Sequence, residues 1–318
     1  MTYPDGSLVS YTYDAASNMT GVTDTDGGSN TYTVDALSQV TEKKLANGAQ
    51  SLYTYDSIGL LTGRQEKVGG TVKETYTYTY DASVNRTKET SVKSGITKNI
   101  TYTYDTLNQL TKVLDGSIIR KYTYDEFNNR SAKEETGKNK ITYSYNALNQ
   151  LTEEEQSTKE KTYSYDSKGN LSQVQENGLV TESYLFDAKG MLGQVASHNS
   201  ATVSSYEYDG AGNRVSSKVT VAGVLESKKE YLIGSQSAYG DIIGAIDTTE
   251  IDTAKISNFT YGKGLVSAEE SGIIGYYRID EKGTVTDILD KSGNVKTTLD
   301  YEEFGILKSA DKLNEYGN

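Results

Sequence analysis

A four-residue motif, Tyr-Thr-Tyr-Asp, returns along the chain at intervals of 20 to 25 residues, and this period limits the possible folds more than any other feature. Such a period indicates a protein built from one supersecondary unit that is stacked many times. Ten copies fill residues 3–220. The tyrosine before the turn lies at Tyr13, Tyr55, Tyr80, Tyr104, Tyr124, Tyr145, Tyr165 and Tyr208, with Val34 and Phe186 in its place in two further copies; Tyr145 is followed by Asn146 in place of the aspartate.

Each copy has the pattern of a β-strand that runs into a tight turn. In the copy at residues 102–111, Tyr102, Thr103 and Tyr104 alternate with the period of two that places both rings on one face of a strand. Asp105 begins the turn, because its carboxylate can accept a hydrogen bond from the backbone N–H two residues further on. Asn108 supplies the left-handed residue that closes a short hairpin loop.

A second set of turn signals lies roughly midway between the aspartates. Asn-Gly and Asp-Gly pairs are the strongest short hairpin signals. One repeat is therefore two strands and two turns, which about 20 residues can supply. The sequence predicts an all-β fold, a long curled antiparallel meander of about 20 strands over the repeats. The second turns are Asn47-Gly48, Gly69-Gly70, Ser94-Gly95, Asp115-Gly116, Asn177-Gly178 and Ala222-Gly223.

The composition favours a sheet with at least one wet face. The 318 residues include 27 Tyr, 4 Phe and no Trp, and only 35% of them are hydrophobic. Tyrosine therefore supplies much of the apolar surface for burial, and its hydroxyl needs a hydrogen-bond partner there. A chain this poor in hydrophobic residues could also be disordered, but its enrichment in Tyr and Thr indicates strands.

Charge and residue usage exclude several function classes. The 32 Lys and Arg residues against 44 Asp and Glu residues give a net charge of −12. An acidic chain is unsuited to nucleic acid or an anionic membrane surface, because both need basic patches. The absence of Cys removes disulfides, thiolate metal sites and thiol nucleophiles. No apolar run approaches the roughly 20 residues that span a bilayer.

No catalytic or metal-binding constellation stands out. A catalytic triad would need the single histidine, His198, beside a serine in a strained Gly-x-Ser-x-Gly turn, and that motif does not occur. The acidic loop that starts at Asp24 has Gly28 and Ser29 where a calcium loop needs an acidic or Asn residue and a Gly. The repeat aspartates recur because the turns need them, so their number does not indicate paired catalytic carboxylates. We expect no enzyme activity, no metal and no cofactor.

The period breaks after the tenth copy. Residues 231–234 and 242–246 are the most aliphatic stretches of the chain, and we interpret them as strands with longer loops that curl inward or plug one end. We therefore divide the sequence into ten repeats over residues 1–220 and an irregular β segment over residues 221–318.

The repeats and the segments after them resemble the Rhs, or YD-repeat, family. This family includes Rhs polymorphic toxins, wall-associated proteins, Tc toxin C components and teneurins. Residues 259–267 resemble the family's Tyr-Gly-x-x-Leu-Ile-Ser segment, and residues 275–290 with 301–305 resemble the start of the Rhs-associated core. The chain departs from the family at Thr284, where Ser is usual, and at Glu302, where Asp is usual. The later elements that carry self-cleavage by aspartates are missing, so we do not transfer that chemistry.

The resemblance implies a fold and a function. In the family the repeats are similar to a β-ribbon wound into a hollow shell, which encloses a C-terminal toxin or the chain's own C-terminal segment. We expect a fragment of such a non-catalytic shell that lacks the toxin domain, in an extracellular, secreted or cell-surface bacterial protein. The N-terminus lacks a signal sequence, which is typical of a cytosolic protein, a mature form or a fragment. We assign a structural role in the repeat to Tyr13, Asp14, Tyr55, Asp56, Tyr80, Asp81, Tyr104, Asp105, Tyr124, Asp125, Tyr145, Tyr165, Asp166, Phe186, Asp187, Tyr208 and Asp209.

Two alternatives concern partners. Exposed tyrosine rings stack on sugar rings, so the chain could be a cell-surface adhesin or carbohydrate-binding module. Open strand edges pair with other edges, so self-association is also expected.

Overall fold

The computed structural model describes residues 1–3, 6–234, 241–250 and 254–310. In these residues the chain forms 28 antiparallel β-strands of one sheet and no helix, which confirms the predicted all-β hairpin fold. The first fourteen strands are β1 (Ser10–Tyr13), β2 (Met19–Thr23), β3 (Ser29–Val34), β4 (Val40–Lys44), β5 (Ala49–Tyr55), β6 (Leu61–Val68), β7 (Thr71–Tyr80), β8 (Arg86–Lys93), β9 (Ile96–Tyr104), β10 (Leu110–Asp115), β11 (Ile118–Tyr124), β12 (Arg130–Glu135), β13 (Ile141–Tyr145) and β14 (Leu151–Gln156).

The second half of the chain continues the same meander. Residues 231–233 and 242–246 of the two aliphatic stretches that break the sequence period lie in β21 (Val224–Ile233) and β22 (Ile242–Asp247). The remaining strands are β15 (Lys159–Tyr165), β16 (Leu171–Glu176), β17 (Leu179–Phe186), β18 (Leu192–Ser197), β19 (Thr202–Tyr208), β20 (Arg214–Val221), β21 (Val224–Ile233), β22 (Ile242–Asp247), β23 (Lys255–Gly262), β24 (Gly264–Glu270), β25 (Ile273–Ile279), β26 (Val285–Leu289), β27 (Val295–Tyr301) and β28 (Leu307–Ala310).

The aspartate turn has one geometry, shown here by the β11–β12 hairpin. The backbone N–H of Asn128 donates to the carbonyl of Asp125 at 3.1 Å, and the N–H of Asp125 donates to the carbonyl of Asn129 at 2.8 Å. The Asp125 carboxylate accepts from the backbone N–H of Phe127 and of Asn129, both at 2.9 Å. The predicted hydrogen bond two residues on is therefore present, with a second one at the fourth residue.

The third residue after the aspartate is left-handed, as Asn108 (φ 61°) shows. Asn and Gly tolerate this conformation, whereas a β-branched residue is strained in it. Val84 (φ 68°) therefore strains its turn. The other positions in the repeats are Ser17, Ser38, Gly59, Asn128, Asn149, Gly169, Gly190 and Gly212, and the same turn returns at Gly283, Gly293 and Gly305.

Four of the turns between repeats are two-residue loops with both residues left-handed: Gly69-Gly70, Ser94-Gly95, Asn177-Gly178 (φ 51° and 78°) and Ala222-Gly223. This is the hairpin turn whose twist matches that of the strands. Two positions differ from the prediction. The turn after β10 is Gly116-Ser117 rather than Asp115-Gly116, and Asn47-Gly48 lies in a longer turn that begins at Leu45.

The chain forms two compact units. Unit 1 consists of Met1–Thr77, Ser91–Ile96 and Tyr231–Asn318, and unit 2 consists of Tyr78–Thr90 and Thr97–Glu230. The core of unit 1 combines residues from the start of the chain with residues from its last strands: Tyr3, Val9, Val22, Tyr32, Leu45, Ala49, Val266, Ile274, Tyr276 and Leu289.

Candidate functional site

The two faces of the repeat hairpins differ in exposure. Along β11, Tyr122 is buried and Tyr124 is half-buried, whereas Thr123 between them is exposed. Because side chains alternate between the faces of a strand, the repeat tyrosines share one face and the repeat threonines share the other. We call these the tyrosine face and the threonine face.

In six repeats the tyrosine before the turn is tied to the previous repeat by its hydroxyl. Tyr124 donates to the backbone carbonyl of Leu110 at the start of β10, over 2.8 Å. This bond supplies the partner that a partly buried tyrosine hydroxyl needs. Phe186 cannot make it. The same bond is made by Tyr55, Tyr104, Tyr145, Tyr165 and Tyr208.

The aspartate turns are also joined along their edge of the sheet. The side-chain amide of Gln109 donates to Asn128 at 2.7 Å, and that of Asn129 donates to Asn149 at 3.0 Å. The repeat aspartates therefore lie one per hairpin along this edge and do not gather into an acidic site. The pKa values of Asp14, Asp166 and Asp209 are lowered. Each carboxylate accepts a hydrogen bond from the side-chain amide of the Asn four residues further along the chain, and others from backbone N–H groups.

In unit 1 the tyrosine face is covered by strands from the end of the chain. The backbone N–H of Lys263, between β23 and β24, donates to the Tyr32 hydroxyl at 3.2 Å. Gly262 has to be glycine here, because a Cβ would collide with that hydroxyl. Tyr3 donates to the carbonyl of Phe259 at 2.7 Å. These bonds join residues more than 200 positions apart in the sequence.

A cluster of buried charges lies beneath this cover. Glu66 and Arg278 are each only 2% exposed. The Glu66 carboxylate lies 3.2 Å from Arg278 Nε and 3.5 Å from Arg64 Nε, and it accepts a hydrogen bond from Ser51 Oγ at 2.7 Å. Arg278 Nη1 lies 3.5 Å from Asp287 Oδ2. Burial raises the pKa of Glu66 against the opposing effect of the two arginines.

The cluster continues onto β7 and β8. Glu74 accepts from the Tyr76 hydroxyl at 2.7 Å and pairs with Lys93 Nζ at 2.5 Å. Burial pushes the pKa of Glu74 upward, but these two hydrogen bonds, together with the positive charges of Lys93 and Arg278, hold the pKa below its usual value. Removal of one partner from such a cluster leaves an uncompensated buried charge, so the cluster fixes the covering strands on the repeats.

The tyrosine face of β13–β20 in unit 2 is different. Among the described residues of these strands, only Val174 is buried. Tyr184 donates its hydroxyl to Glu182. Partial burial, with the neighbouring Glu154 carboxylate, raises the pKa of Tyr163 to about 12. The half-buried rings that we call the open tyrosine face are Tyr143, Tyr163, Tyr184 and Tyr206.

The other sequence candidates have local roles. His198 lies in the turn after β18 with its Nε2 3.1 Å from Ser183 Oγ, but this serine lies in a regular strand rather than in a strained turn. The Asp24 carboxylate is occupied by the Gly28 N–H at 2.7 Å and the Asn30 amide at 3.2 Å. The described part of the chain holds no group of three or more His, Cys, Asp or Glu residues that could bind a metal.

Sequence reasoning missed the buried charges. A signal was nevertheless present, because Lys43 and Glu66 lie on the tyrosine face. Lys43 lies opposite Tyr32 on the neighbouring strand, and Glu66 lies opposite Ser51. Charged residues at inward positions of a strand need a partner. That partner, Arg278, comes from a strand far away in the sequence, and no repeat pattern indicates it.

Two family models match this chain. The model of the teneurin YD-shell matches residues 37–314. The chain belongs to the teneurin YD-shell family. The model of the RHS repeat matches residues 1–29, so the resemblance to Rhs and YD-repeat proteins is confirmed.

One curated relative is the tRNA3(Ser)-specific nuclease WapA of Bacillus spizizenii. It is 30% identical over 262 residues, which cover 75% of this chain and 8% of the nuclease. This chain therefore spans less than a tenth of that relative.

Three solved Tc toxin structures are similar to the YD-shell chain. The chain spans about a quarter of their length or less. TcdB2-TccC3 without its hypervariable C-terminal region is 11% identical, with 96% of this chain and 25% of that chain covered and a TM-score of 0.46. TcdB2-TccC3-Cdc42 is 10% identical, with 98% and 26% covered and a TM-score of 0.48. A variant Tc holotoxin pore of Photorhabdus luminescens is 15% identical, with 90% and 18% covered and a TM-score of 0.43.

No helix among the described residues is long and apolar enough to cross a membrane.

Proposed function

We propose that the chain is a non-catalytic wall segment of a YD shell, and that its tyrosine face contacts polypeptide that the shell encloses. The observation that carries this proposal is the cover in unit 1. There the tyrosine face binds strands of the same chain through apolar packing, backbone hydrogen bonds and the Glu66–Arg278 ion pair. The open tyrosine face of unit 2 offers the same kind of surface with its rings half exposed.

The names of the relatives fit this role. One solved neighbour is a Tc holotoxin pore, and the curated relative is a nuclease. We assign the enclosed polypeptide to a C-terminal toxin or plug, and the protein to the outside of a bacterial cell. Nuclease activity is not carried over, since this chain matches only 8% of the nuclease.

The proposal assigns roles to the two parts of the sequence. Residues 1–220 supply the repeat wall, and residues 221–318 supply the covering segment and the start of the core. The repeat tyrosines and aspartates named above act structurally, the first by tying repeats together and the second by closing turns.

Site-directed photocrosslinking tests the proposal in the intact gene product. The photoreactive residue p-benzoylphenylalanine replaces Tyr163 or Tyr184 on the open tyrosine face, and Ser164 on the threonine face serves as the control. We expect intramolecular crosslinks from the first two positions to a distant segment of the chain. Crosslinks absent at Tyr163 and Tyr184, or equal at Ser164, would contradict enclosure.

A carbohydrate-binding adhesin is the second candidate, because the open tyrosine face leaves rings available for stacking on sugars. Titration with a glycan panel separates the two functions. Submillimolar binding that is lost in Tyr163→Ala favours the adhesin. Edge-to-edge self-association stays a further prediction, which light scattering at high concentration tests.

A further inference from the structure

Unit 1 buries a lysine that has no counter-ion. Lys43 on β4 is 6% exposed, and its Nζ donates one long hydrogen bond, 3.4 Å, to the backbone carbonyl of Tyr277. Among the described residues, no carboxylate lies within ion-pair distance of this Nζ, although Glu66 acts on it from further away. Glu66 is already occupied by two arginines and a serine.

Lys43 lines a cavity of about 400 Å³. The volume suits a small organic molecule rather than a polypeptide. The lining also carries both signs of charge, with Lys263, Asp280 and Glu281. The Asp280 carboxylate is occupied by two backbone N–H groups of its own turn. The walls are aromatic and aliphatic: Tyr32, Tyr53, Tyr55, Val40, Leu60, Leu61 and Ile279.

The energetics of Lys43 call for an anion. Burial of an ammonium group without a counter-ion is unfavourable, because the charge loses its hydration. Burial lowers the pKa of Lys43 to about 8, so the amine is still largely protonated at neutral pH. A bound carboxylate would supply the missing negative charge. It would also accept hydrogen bonds from the Nζ–H groups of Lys43 that do not donate to the Tyr277 carbonyl.

We propose that this cavity binds a small aromatic carboxylate, with its carboxylate on Lys43 Nζ and its ring among Tyr53, Tyr55 and Leu61. Apolar walls with a small number of placed polar or charged groups are the usual form of a small-molecule site. The site is separate from the open tyrosine face, so it does not depend on the enclosure proposal.

Benzoate is the probe, and benzyl alcohol of the same shape without the charge is its control. Calorimetry at pH 7 is expected to give a dissociation constant of about 1 mM or below for benzoate and at least tenfold weaker binding for benzyl alcohol. Lys43→Met is expected to abolish benzoate binding. Lys44→Met, at the neighbouring exposed position on the other face, is the matched control and is expected to bind normally.

The pH dependence gives a second readout that needs no variant. Benzoate affinity is expected to fall at least fivefold between pH 7 and pH 9.5, as Lys43 loses its proton. Benzoate binding that survives in Lys43→Met, or an affinity that stays constant over this pH range, would overturn the proposal. No benzoate binding at all to the unmodified protein would also overturn it.

Discussion

Unit 1 and strands β13–β20 of unit 2 contain the same hairpin, yet their tyrosine faces are buried to different extents. In unit 1, Tyr32 is 4% exposed and Glu66 is 2% exposed beneath the covering strands. In unit 2, the open tyrosine face keeps its rings half exposed, and Val174 is the one buried residue among the described positions of those strands. The repeat therefore sets the sheet, whereas distant segments set what the sheet contacts.

The difference lies in the partner rather than in the repeat. Turn geometry is the same at Asp125 in unit 2 and at Asp280 in unit 1, where the carboxylate also accepts from the second and fourth N–H groups. Only unit 1 receives β23–β26, which bring Arg278 to Glu66.

The largest effect is expected from Arg278→Met. This substitution leaves Glu66 and Asp287 buried without their shared cation, and we expect a loss of about 3–5 kcal/mol in the free energy of unfolding. Urea denaturation followed by circular dichroism measures it. The matched control is Arg130→Met in unit 2, where the guanidinium stacks 4.7 Å from the centre of the Tyr143 ring and the expected loss is about 1 kcal/mol.

Equal losses of stability in the two arginine variants would contradict the difference between the two units. They would mean that the covering strands of unit 1 add no special stability to its charged residues.

The left-handed turn position gives a reciprocal pair within unit 2. Asn108→Val places a β-branched residue at φ 61° and removes the acceptor of the Asn85 amide, so we expect a loss of about 1–2 kcal/mol. Val84→Asn relieves the same strain and is expected to gain about 1 kcal/mol. Thermal denaturation measures both. If Val84→Asn destabilises the protein, the turn assignment at that position is wrong.

The tyrosine tie between repeats is weaker. Tyr124→Phe removes the hydrogen bond to the Leu110 carbonyl and is expected to cost about 0.5–1.5 kcal/mol. Phe186→Tyr is the reciprocal variant, since it adds a hydroxyl where the repeat normally has one, and it is expected to be neutral or slightly stabilising. A Tyr124→Phe variant as stable as the parent in urea would show that these hydroxyls do not tie the repeats.

The smallest effects on stability are expected at acidic pH. The turn bonds hold the pKa of Asp14, Asp166 and Asp209 below the ordinary value, so their stabilisation is present above about pH 4 and is lost as pH falls through the lowered pKa. The triple Asp→Asn variant at these positions is expected to show a flatter melting temperature between pH 5 and pH 2. Asn146 already makes the two backbone bonds without a charge. An unchanged pH slope in the triple variant would contradict this account.

Much of the fold could be predicted from the sequence because its determinants are local. The carboxylate of Asp105 and the left-handed Asn108 act within five residues, so a repeated pattern reveals them. The tyrosine face followed from alternation at Tyr102 and Tyr104. Val84 occupies a left-handed position that the turn pattern assigns to Asn or Gly, and the backbone angle shows that the turn keeps its conformation there.

The contacts of the tyrosine face could not be predicted, because they join distant residues. Lys43 lies beside the Tyr277 carbonyl, and Glu66 beside Arg278, more than 200 positions away. Neither pair has a fixed spacing in the sequence. An inward lysine or glutamate indicates that a partner exists but not which residue it is.

Hydroxyl-radical footprinting of individual tyrosines measures whether the tyrosine face is covered in unit 1 and available in unit 2. We expect slow oxidation of Tyr32 and Tyr276, which are 4% and 3% exposed, and fast oxidation of Tyr163 and Tyr184. Oxidation of Tyr32 and Tyr276 at the rate of Tyr163 would contradict this expectation.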